Sequence, residues 1–526
     1  MKEEPMKKQA ILILSLAIVM FLTANFPRAE QKPGAVTKAQ WEQEFQLIKE
    51  LFRLTDRYGD KIWPGFDMRK IPIGINYEYR QEVLINHPKP PAEFREFKDA
   101  DLCGLPVMIR DGCTMYASVG GAIRINGMRT SYAQVPGKEI STEKHLLTLL
   151  HEGFHVFQYM NWGKPEGLLT PSPIYDIQNS AGVALENTIL YTALQEKSQK
   201  NLTELAKMLV AVRSQRQENF PEAVRREEDH GIFAEGTALY SEARLMQLLY
   251  LEGNQTKDGA TLFADTGKSY RNYLDGILPP KDKIITLGHE RYQNGMAQAF
   301  LLDRLRPGWK KEMAPKGTTQ FTLLKQQFPL EEKEKARLIS AAKKKFAFEK
   351  ILAMQESLIN ERLALIRDIV ETPGRRYRIY FYEVPLRLKW KFRFPVYELP
   401  GQNVTEAQQK LLVSPGETFN AEQTEALVMP KGLERLEAET GFLFQGRETP
   451  LVQWIGMINF LEWIDDTPAA DKSDMKIQAD KQEEDVYTNL LLETDGFTLR
   501  ISRARIAWSD KIVEIHPLPK ETADNR

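Results

Sequence analysis

The sequence predicts an α+β fold, in which a small β-sheet precedes a mostly helical domain and a β-rich domain ends the chain. Three observations support this prediction. Short β-branched segments fill residues 71–135, apolar residues recur at helical spacing from Ser141 to about Tyr250, and β-branched and aromatic segments with partial alternation follow residue 373. At 526 residues the chain is also too long for one ordinary domain.

The N-terminal half alternates between strands and helices. Apolar spacing predicts a helix over residues 38–58, and strands are predicted over 71–77 and 82–85. Further short strands are predicted over 105–135, with glycine turns at 112, 120–121 and 127. Ser141 followed by Glu143 then marks a helix start, because a hydroxyl caps the first turn and an acid there interacts favourably with the helix dipole.

The C-terminal half changes from helical to extended character. A helix is predicted over residues 288–305, and a long charged helix or a helix pair over 330–371. Strands are predicted over 376–382, 386–394 and 497–508, and the acidic, polar residues 464–484 predict a flexible loop.

Charge and cysteine content exclude several classes of protein. Lys and Arg number 71 and Asp and Glu 72, for a net charge of −1, so we expect no nucleic-acid partner. Two cysteines exclude a disulfide scaffold, a four-cysteine zinc site and an iron–sulfur cluster. Cys103 and Cys113 form either a small disulfide loop or two unpaired thiols, and the sequence leaves both open.

The N-terminus predicts export. A basic stretch ending at Lys8 precedes the apolar run Ala10–Leu22, which is the pattern of a secretory signal peptide. The run is shorter than the ~20 residues of a membrane-spanning helix, although an uncleaved anchor stays open as the alternative. We therefore expect a periplasmic or extracellular protein that meets a membrane only through such an anchor.

Two histidines four residues apart carry the strongest functional signal. In His151-Glu152-Gly153-Phe154-His155 both imidazoles fall on one stripe of a helix that also carries a buried apolar face. Imidazoles so spaced can hold one Zn²⁺, and Glu152 lies one step round, where it accepts a proton from water without ligating the metal. The pattern is rare by composition, which favours a zinc site over two structural histidines.

Segments downstream resemble the gluzincin metallopeptidases, most closely the core of the aminopeptidase N family. That family follows His-Glu-x-x-His with Asn-Glu-Gly-Phe-Ala-x-Tyr, whose glutamate is the third zinc ligand, and with Tyr-Glu-Lys-Gly, whose tyrosine binds the tetrahedral intermediate. Residues 234–240 match the first motif in part, at Glu235, and residues 292–295 match the second in part, at Tyr292. The resemblance covers about residues 105–310 and implies a zincin-like domain. The zinc ligands it implies are His151, His155 and Glu235.

The sequence departs from the family in two places. Residues 156–234 separate the second histidine from Glu235, a longer stretch than in the family, so Glu186 stays open as the third ligand. The segment Gly120–Arg129 lacks the acid with which family aminopeptidases hold a free amino group, so aminopeptidase specificity is not supported. Further candidates are Glu228 and Glu242 as acceptors from a zinc-bound histidine, and His230 and His289 as oxyanion donors.

These observations together predict an exported zinc-dependent peptidase that acts on peptide or protein substrates. Two rivals stay open: a non-enzymatic binding protein on a degenerate peptidase scaffold, and a zinc hydrolase that acts on a non-peptide amide or ester. The predicted parts are a signal peptide or anchor (1–29), a zincin-like metallopeptidase domain (30–330), a charged helical linker (331–372) and a β-rich accessory domain (373–526).

Overall fold

A computed structural model shows the chain as two compact units, one ending at Glu356 and the other beginning at Ser357. The structure describes residues 36–371 with gaps at 78–79, 99, 101, 112–119, 136–140, 164–175, 253–262, 264, 279–284, 286–287 and 314–317, and beyond residue 374 it describes the strands alone. Residues 1–29 and Cys113 lie outside the described residues, so export and the disulfide stay predictions. Within the described part, no helix is both long and apolar enough to cross a membrane.

Six strands of the first unit form one mixed sheet. They are Ile73–Tyr77 (β1), Gln81–Ile85 (β2), Arg95–Glu96 (β3), Val107–Asp111 (β4), Gly120–Ile125 (β5) and Met128–Gln134 (β6). The strand order is β3-β4-β2-β1-β6-β5, in which β1 and β6 are parallel and every other pair is antiparallel. Strand β5 is therefore an edge strand.

A two-residue turn closes the hairpin of β5 and β6. Asn126 and Gly127 occupy this turn with φ of 44° and 82°, the left-handed values that a type I′ turn requires. The glycine turn predicted at 127 is confirmed. The turn predicted at 120–121 is wrong, because Gly120 and Gly121 lie within β5 in register with Ala133 and Tyr132.

Helices make up most of the described part of the first unit. They are Lys38–Ile62 (α1), Thr142–Trp162 (α2), Ile177–Gln195 (α3), Gln199–Glu218 (α4), Glu222–Leu251 (α5), Thr266–Asp275 (α6), Asn294–Leu305 (α7), Gln320–Gln327 (α8), Glu332–Lys345 (α9) and the first residues of Phe348–Glu371 (α10), whose remainder from Ser357 belongs to the second unit, with 3₁₀ turns at Met68–Lys70 and Trp309–Met313. Ser141 caps α2 by accepting from the backbone N–H of Lys144, as its sequence predicts. The protein is thus α+β, mostly helical with a small mixed sheet, which confirms that part of the predicted fold class.

Two of the predicted helices are confirmed and gain detail. The helix predicted over 288–305 is present, and its first six residues, Gly288–Gln293, form a π-helical turn before α7. A π-turn is wider than an α-turn and re-aims its side chains, which apolar spacing alone does not indicate. The charged segment 330–371 is a helix pair, α9 and α10, broken near Ala347 with φ of 50°.

Helix α2 lies directly against the sheet and against α1. Ser131 Oγ on β6 donates to the Leu149 carbonyl of α2 at 3.1 Å, and a buried contact of 2.8 Å joins His145 Nε2 to Glu44 Oε1 on α1. A Cβ at Gly153 would lie 2.3 Å from Met68 Sδ. A side chain at position 153 would therefore displace the end of the buried Met68 side chain.

The second unit, in its described part, is an eleven-stranded sheet. Its strands are Arg375–Tyr380 (β7), Lys389–Phe392 (β8), Ala426–Met429 (β9), Leu433–Ala438 (β10), Phe442–Gly446 (β11), Leu451–Trp454 (β12), Phe460–Asp465 (β13), Lys476–Lys481 (β14), Val486–Glu493 (β15), Phe497–Trp508 (β16) and Ile512–Pro517 (β17). The loop predicted over 464–484 is wrong at residues 464–465, which end β13, and at residues 476–481, because β14 pairs with β15. Polar composition does not exclude a strand with a solvent-facing side. The predicted domain boundaries stay predictions.

Candidate metal centre

Two imidazoles and one carboxylate converge between α2 and α5. His151 and His155 lie one turn apart on α2, and Glu235 comes from the middle of α5. Glu235 Oε2 is 3.2 Å from His155 Nε2 and 3.6 Å from His151 Nε2. One nitrogen from each histidine and one glutamate oxygen all lie within 4.8 Å of one another.

This donor set has the chemistry of a zinc site, and the two separations from Glu235 are close to the spacing that zinc requires. Two imidazole nitrogens and a carboxylate oxygen are the ligands of many catalytic zinc sites, which leave a fourth position for water. Tetrahedral bonds of ~2.05 Å require ligand atoms ~3.3–3.5 Å apart, close to the separations from Glu235 to the two histidines. The histidine side chains are only 11% and 12% exposed and that of Glu235 is 29% exposed. The three groups are thus largely shielded but still reach solvent on one side.

A second carboxylate fixes the orientation of His151. Its Nδ1 lies 2.6 Å from Glu242 Oε1, two turns beyond Glu235 on α5. Glu242 in turn accepts from the Tyr273 hydroxyl at 2.7 Å, and Lys144 Nζ is 3.9 Å away. Because a carboxylate accepts, the proton of neutral His151 lies on Nδ1, and the lone pair of Nε2 faces Glu235.

An amide fixes His155 in the same way. His155 Nδ1 is 2.9 Å from Gln158 Oε1, while Gln158 Nε2 donates to the Ala234 carbonyl at 2.9 Å and to Thr237 Oγ1 at 2.7 Å. The two donations show that the oxygen of Gln158 faces the imidazole, so His155 also carries its proton on Nδ1. Gln158 therefore ties α2 to the turn of α5 that carries Glu235.

The histidines and glutamates of the cluster shift one another's pKa values. Burial lowers the pKa of His151, but Glu235 and Glu242 outweigh burial and raise the pKa to about 10. Burial likewise raises the pKa of Glu235, and the two histidines outweigh it and hold the pKa well below its usual range. A divalent cation and a proton compete for such nitrogens, because a ligating imidazole is neutral.

Glu152 is the acid of the cluster with a raised pKa. Burial is the main cause, and it is opposed by the nearby charges of His155 and His151 and reinforced by that of Glu235. A carboxyl group whose pKa is shifted toward neutrality is suited to accept a proton and release it again.

Tyr292 reaches the cluster from the π-turn. Its ring lies nearly parallel to the His151 ring with centroids 6.0 Å apart. Burial, together with the charge of Glu235 and a hydrogen bond to it, raises the pKa of Tyr292 well above its usual range. The phenol therefore stays protonated and is a hydrogen-bond donor at this site.

A pair of glycines allows this approach of the π-turn. A Cβ on Gly236 would lie 2.4 Å from Gly295 Cα, and a Cβ on Gly295 would lie 2.3 Å from the Ile232 carbonyl oxygen. Helices α5 and α7 therefore cross with their backbones in contact, immediately beside Glu235 and one turn from Tyr292. The partial motif match at residues 234–240 thus contains Gly236, and the match at residues 292–295 contains Gly295, the two glycines at this crossing.

Glu186 and Glu228 lie in a different cluster. Glu186 Oε1 accepts from Arg216 Nε at 2.6 Å, and Glu186 Oε2 lies 3.4 Å from Arg213 Nη1. Glu228 contacts the same two arginines. The structure therefore brings Glu235 to the histidines and holds Glu186 and Glu228 in buried ion pairs, whereas Glu242 contacts His151.

The two histidines predicted as alternative oxyanion donors are His230 and His289. His230 Nδ1 is buried with no hydrogen-bond partner among the described residues, and the side chain of His289 lies outside them. Gln158 and Tyr273 are contacts that the sequence analysis did not predict. Gln158 had a detectable signal, since it follows His155 by three positions on the same helix, but Tyr273 lies on a separate helix with no motif around it.

Comparison of the chain with protein-family models, with curated proteins and with solved structures found no match. The resemblance to the gluzincins therefore rests on the short motifs around His151, Glu235 and Tyr292, and the case for a metal rests on the donor set and its geometry.

Proposed function

We propose that the chain is an exported zinc-dependent peptidase with a zincin-like catalytic domain. His151, His155 and Glu235 would hold the zinc, Glu152 is the general base and Tyr292 is the oxyanion donor. The single observation that supports this most is the meeting of a His-Glu-x-x-His helix with a carboxylate from a separate helix, at separations of 3.2 Å and 3.6 Å. Such a meeting is what a ligand set requires of residues far apart in sequence.

Each side chain has a role that follows from its surroundings. Zinc, when bound, supplies a Lewis acid that lowers the pKa of a water molecule toward ~7. Glu152 takes the proton of the attacking water and passes it to the leaving amine, a role for which its raised pKa is suited. Glu242 and Gln158 keep the imidazoles in one tautomer and one orientation.

Tyr292 supports the negative charge that develops on the carbonyl oxygen. Its raised pKa keeps its proton available for donation throughout the reaction. A preorganised donor of this kind contributes about 2.7–4 kcal/mol of transition-state stabilisation.

The N-terminal apolar run and the net charge support the proposed location and partners of the protein. The apolar run Ala10–Leu22 after a basic stretch supports export to the periplasm or the exterior. The balanced charge gives no reason to expect nucleic acid, and the peptidase chemistry implies a peptide or protein substrate.

Metal analysis combined with peptide turnover tests this proposal. Purified wild-type protein should carry one zinc per chain and cleave casein or a mixture of unstructured peptides. Glu152→Gln should keep the zinc and lose turnover. Glu143→Gln is the matched control, since Glu143 lies on the same helix but bonds Ser269 Oγ.

The rival functions give different results in the same experiment. Zinc without turnover of any substrate by the wild type would favour a binding protein on a degenerate scaffold. Turnover limited to esters or non-peptide amides would favour the other hydrolase, and a chain that takes up no zinc would contradict both zinc-dependent hydrolase readings.

A further inference from the structure

Two arginines face each other across the hairpin beside the candidate metal centre. Arg124 on β5 is directly opposite Arg129 on β6. Alternate residues of a strand share one face, and Ser131, two positions from Arg129, bonds the Leu149 carbonyl of α2 at 3.1 Å. Both arginines therefore lie on the face of the hairpin that α2 covers, and not on the opposite face.

Arg129 lies over the same stripe of α2 that carries the two histidines. Its guanidinium carbon is 4.1 Å from the centroid of the Tyr159 ring. Tyr159 follows His151 and His155 at the same four-residue interval, so it lies about one helical turn, ~6 Å along the axis, beyond His155. A fixed positive charge thus lies beside the cluster, along the direction of α2.

Within the described part of the chain, which leaves out residues 112–119 and 164–175, neither Arg124 nor Arg129 forms an ion pair with an acidic side chain. Like charges directly opposite each other in a sheet are destabilising. Arg129 Nη1 donates to the Ala122 carbonyl at 2.7 Å, while its Nε is buried and unpaired among the described residues. Arg124 is exposed. A carboxylate bound at this place would relieve the repulsion and pair the remaining donors.

We propose that Arg124 and Arg129 select substrates that present a carboxylate to this hairpin, either an acidic side chain or a C-terminal carboxyl group. This inference rests on the proposed function. Arg presents a planar fork that binds a carboxylate with two hydrogen bonds. The stacking on Tyr159 and the hydrogen bond to the Ala122 carbonyl hold the side chain of Arg129 in place before a ligand arrives, and the register of the hairpin places Arg124 opposite it. The same charges repel a free amino group.

Binding of matched peptides to Glu152→Gln protein tests the inference without requiring turnover. The probes are otherwise identical peptides that carry Glu or Gln at one scanned position, each made with a free C-terminal carboxylate and with a C-terminal amide. Fluorescence anisotropy gives Kd, and kcat/KM of the wild type gives turnover. Arg124→Gln, Arg129→Gln and their double variant are compared with Arg95→Gln, an arginine on β3 at the opposite edge of the sheet.

We expect one carboxylate source to improve Kd at least ~10-fold over its neutral counterpart. The double variant should lose this preference, Arg129→Lys should keep part of it, and Arg95→Gln should keep all of it. The Glu series and the C-terminal series distinguish the two sources. Equal binding of acidic and neutral peptides, or a preference that survives in the double variant, would overturn the inference.

The proposed function fails in a different way. Preferential binding of acidic peptides without cleavage by the wild type would support the arginine site and contradict the peptidase. Cleavage without a charge preference would support the peptidase and contradict the arginine site.

Discussion

Glu242 accepts the Nδ1 proton of His151 at 2.6 Å, from a position two helical turns beyond Glu235 on the same helix. Helix α5 thus supplies both the carboxylate that faces the imidazole nitrogens and the carboxylate that orients one imidazole from behind. Helix α5 therefore fixes the distance between the Glu235 carboxylate, which faces the imidazole nitrogens, and the Glu242 carboxylate, which orients His151.

Replacing Glu242 should weaken zinc binding while the fold is kept. Removal of such an orienting group typically costs ~10- to 100-fold in metal affinity, and we expect a loss in this range for Glu242→Gln, measured by competition with a chromophoric chelator. Tyr273→Phe, which removes one donor to Glu242, should give a smaller loss. Unchanged affinity in Glu242→Gln would show that this contact does not orient a ligand.

Removing the Tyr292 hydroxyl should affect turnover more than substrate binding. We expect Tyr292→Phe to lower kcat by ~10²–10³-fold with a KM close to that of the wild type, because the hydrogen bond is strongest in the transition state. Steady-state kinetics on a cleaved peptide measures both constants, and zinc content is the control. A change confined to KM would assign Tyr292 to substrate binding instead.

Glu186 and Glu235 should respond in opposite ways to the same substitution. Glu186 is buried in ion pairs with Arg213 and Arg216, and breaking buried pairs costs about 3–5 kcal/mol. Glu186→Gln should therefore lower the free energy of unfolding and keep the zinc. Glu235→Gln should lose the zinc with a smaller effect on the metal-free protein. Denaturant titration and metal analysis of both variants measure the contrast, and zinc loss in Glu186→Gln alone would reverse the ligand assignment.

Lys310 should make stability depend on pH in the alkaline range. Its Nζ is 2.6 Å from the Tyr240 hydroxyl and 2.9 Å from the Ile62 carbonyl, and burial, opposed by Asp303, lowers its pKa to about 8. The unfolded chain then binds more protons between pH 8 and 10.5, so stability rises with pH in this window.

Comparison with Lys310→Met isolates this effect. Relative to that variant, the unfolding free energy of the wild type should increase between pH 8 and 10, by up to about 3 kcal/mol over the full window. Lys311→Met, at an exposed neighbouring position, is the control for losing one positive charge. A constant difference between wild type and Lys310→Met across this range would contradict the pKa assignment.

Local patterns predicted the elements better than the contacts between them. Three features depend on a few consecutive residues and can be predicted from the sequence alone. They are the His151–His155 stripe, the Ser141 cap and the turn at Gly127. The choice between Glu186 and Glu235 was not local, because both lie on regular helices. It depends on the arginines of α4, which hold Glu186 away from the histidines.

The site contacts that the sequence did not predict also depend on which helices are neighbours in the fold. The π-turn that carries Tyr292 lies next to the crossing of α5 and α7 at Gly236 and Gly295, a tertiary contact with no periodic signature. Tyr273 reaches Glu242 from a separate short helix. Such contacts require knowledge of which helices are neighbours, and spacing along one helix does not supply it.

Anomalous diffraction at the zinc edge, from crystals of the purified protein, locates the metal relative to its proposed ligands. We expect one peak per chain, ~2.0–2.2 Å from His151 Nε2, His155 Nε2 and a carboxylate oxygen of Glu235. A peak at another place, or none at these residues in protein supplied with zinc, would contradict the proposed zinc site.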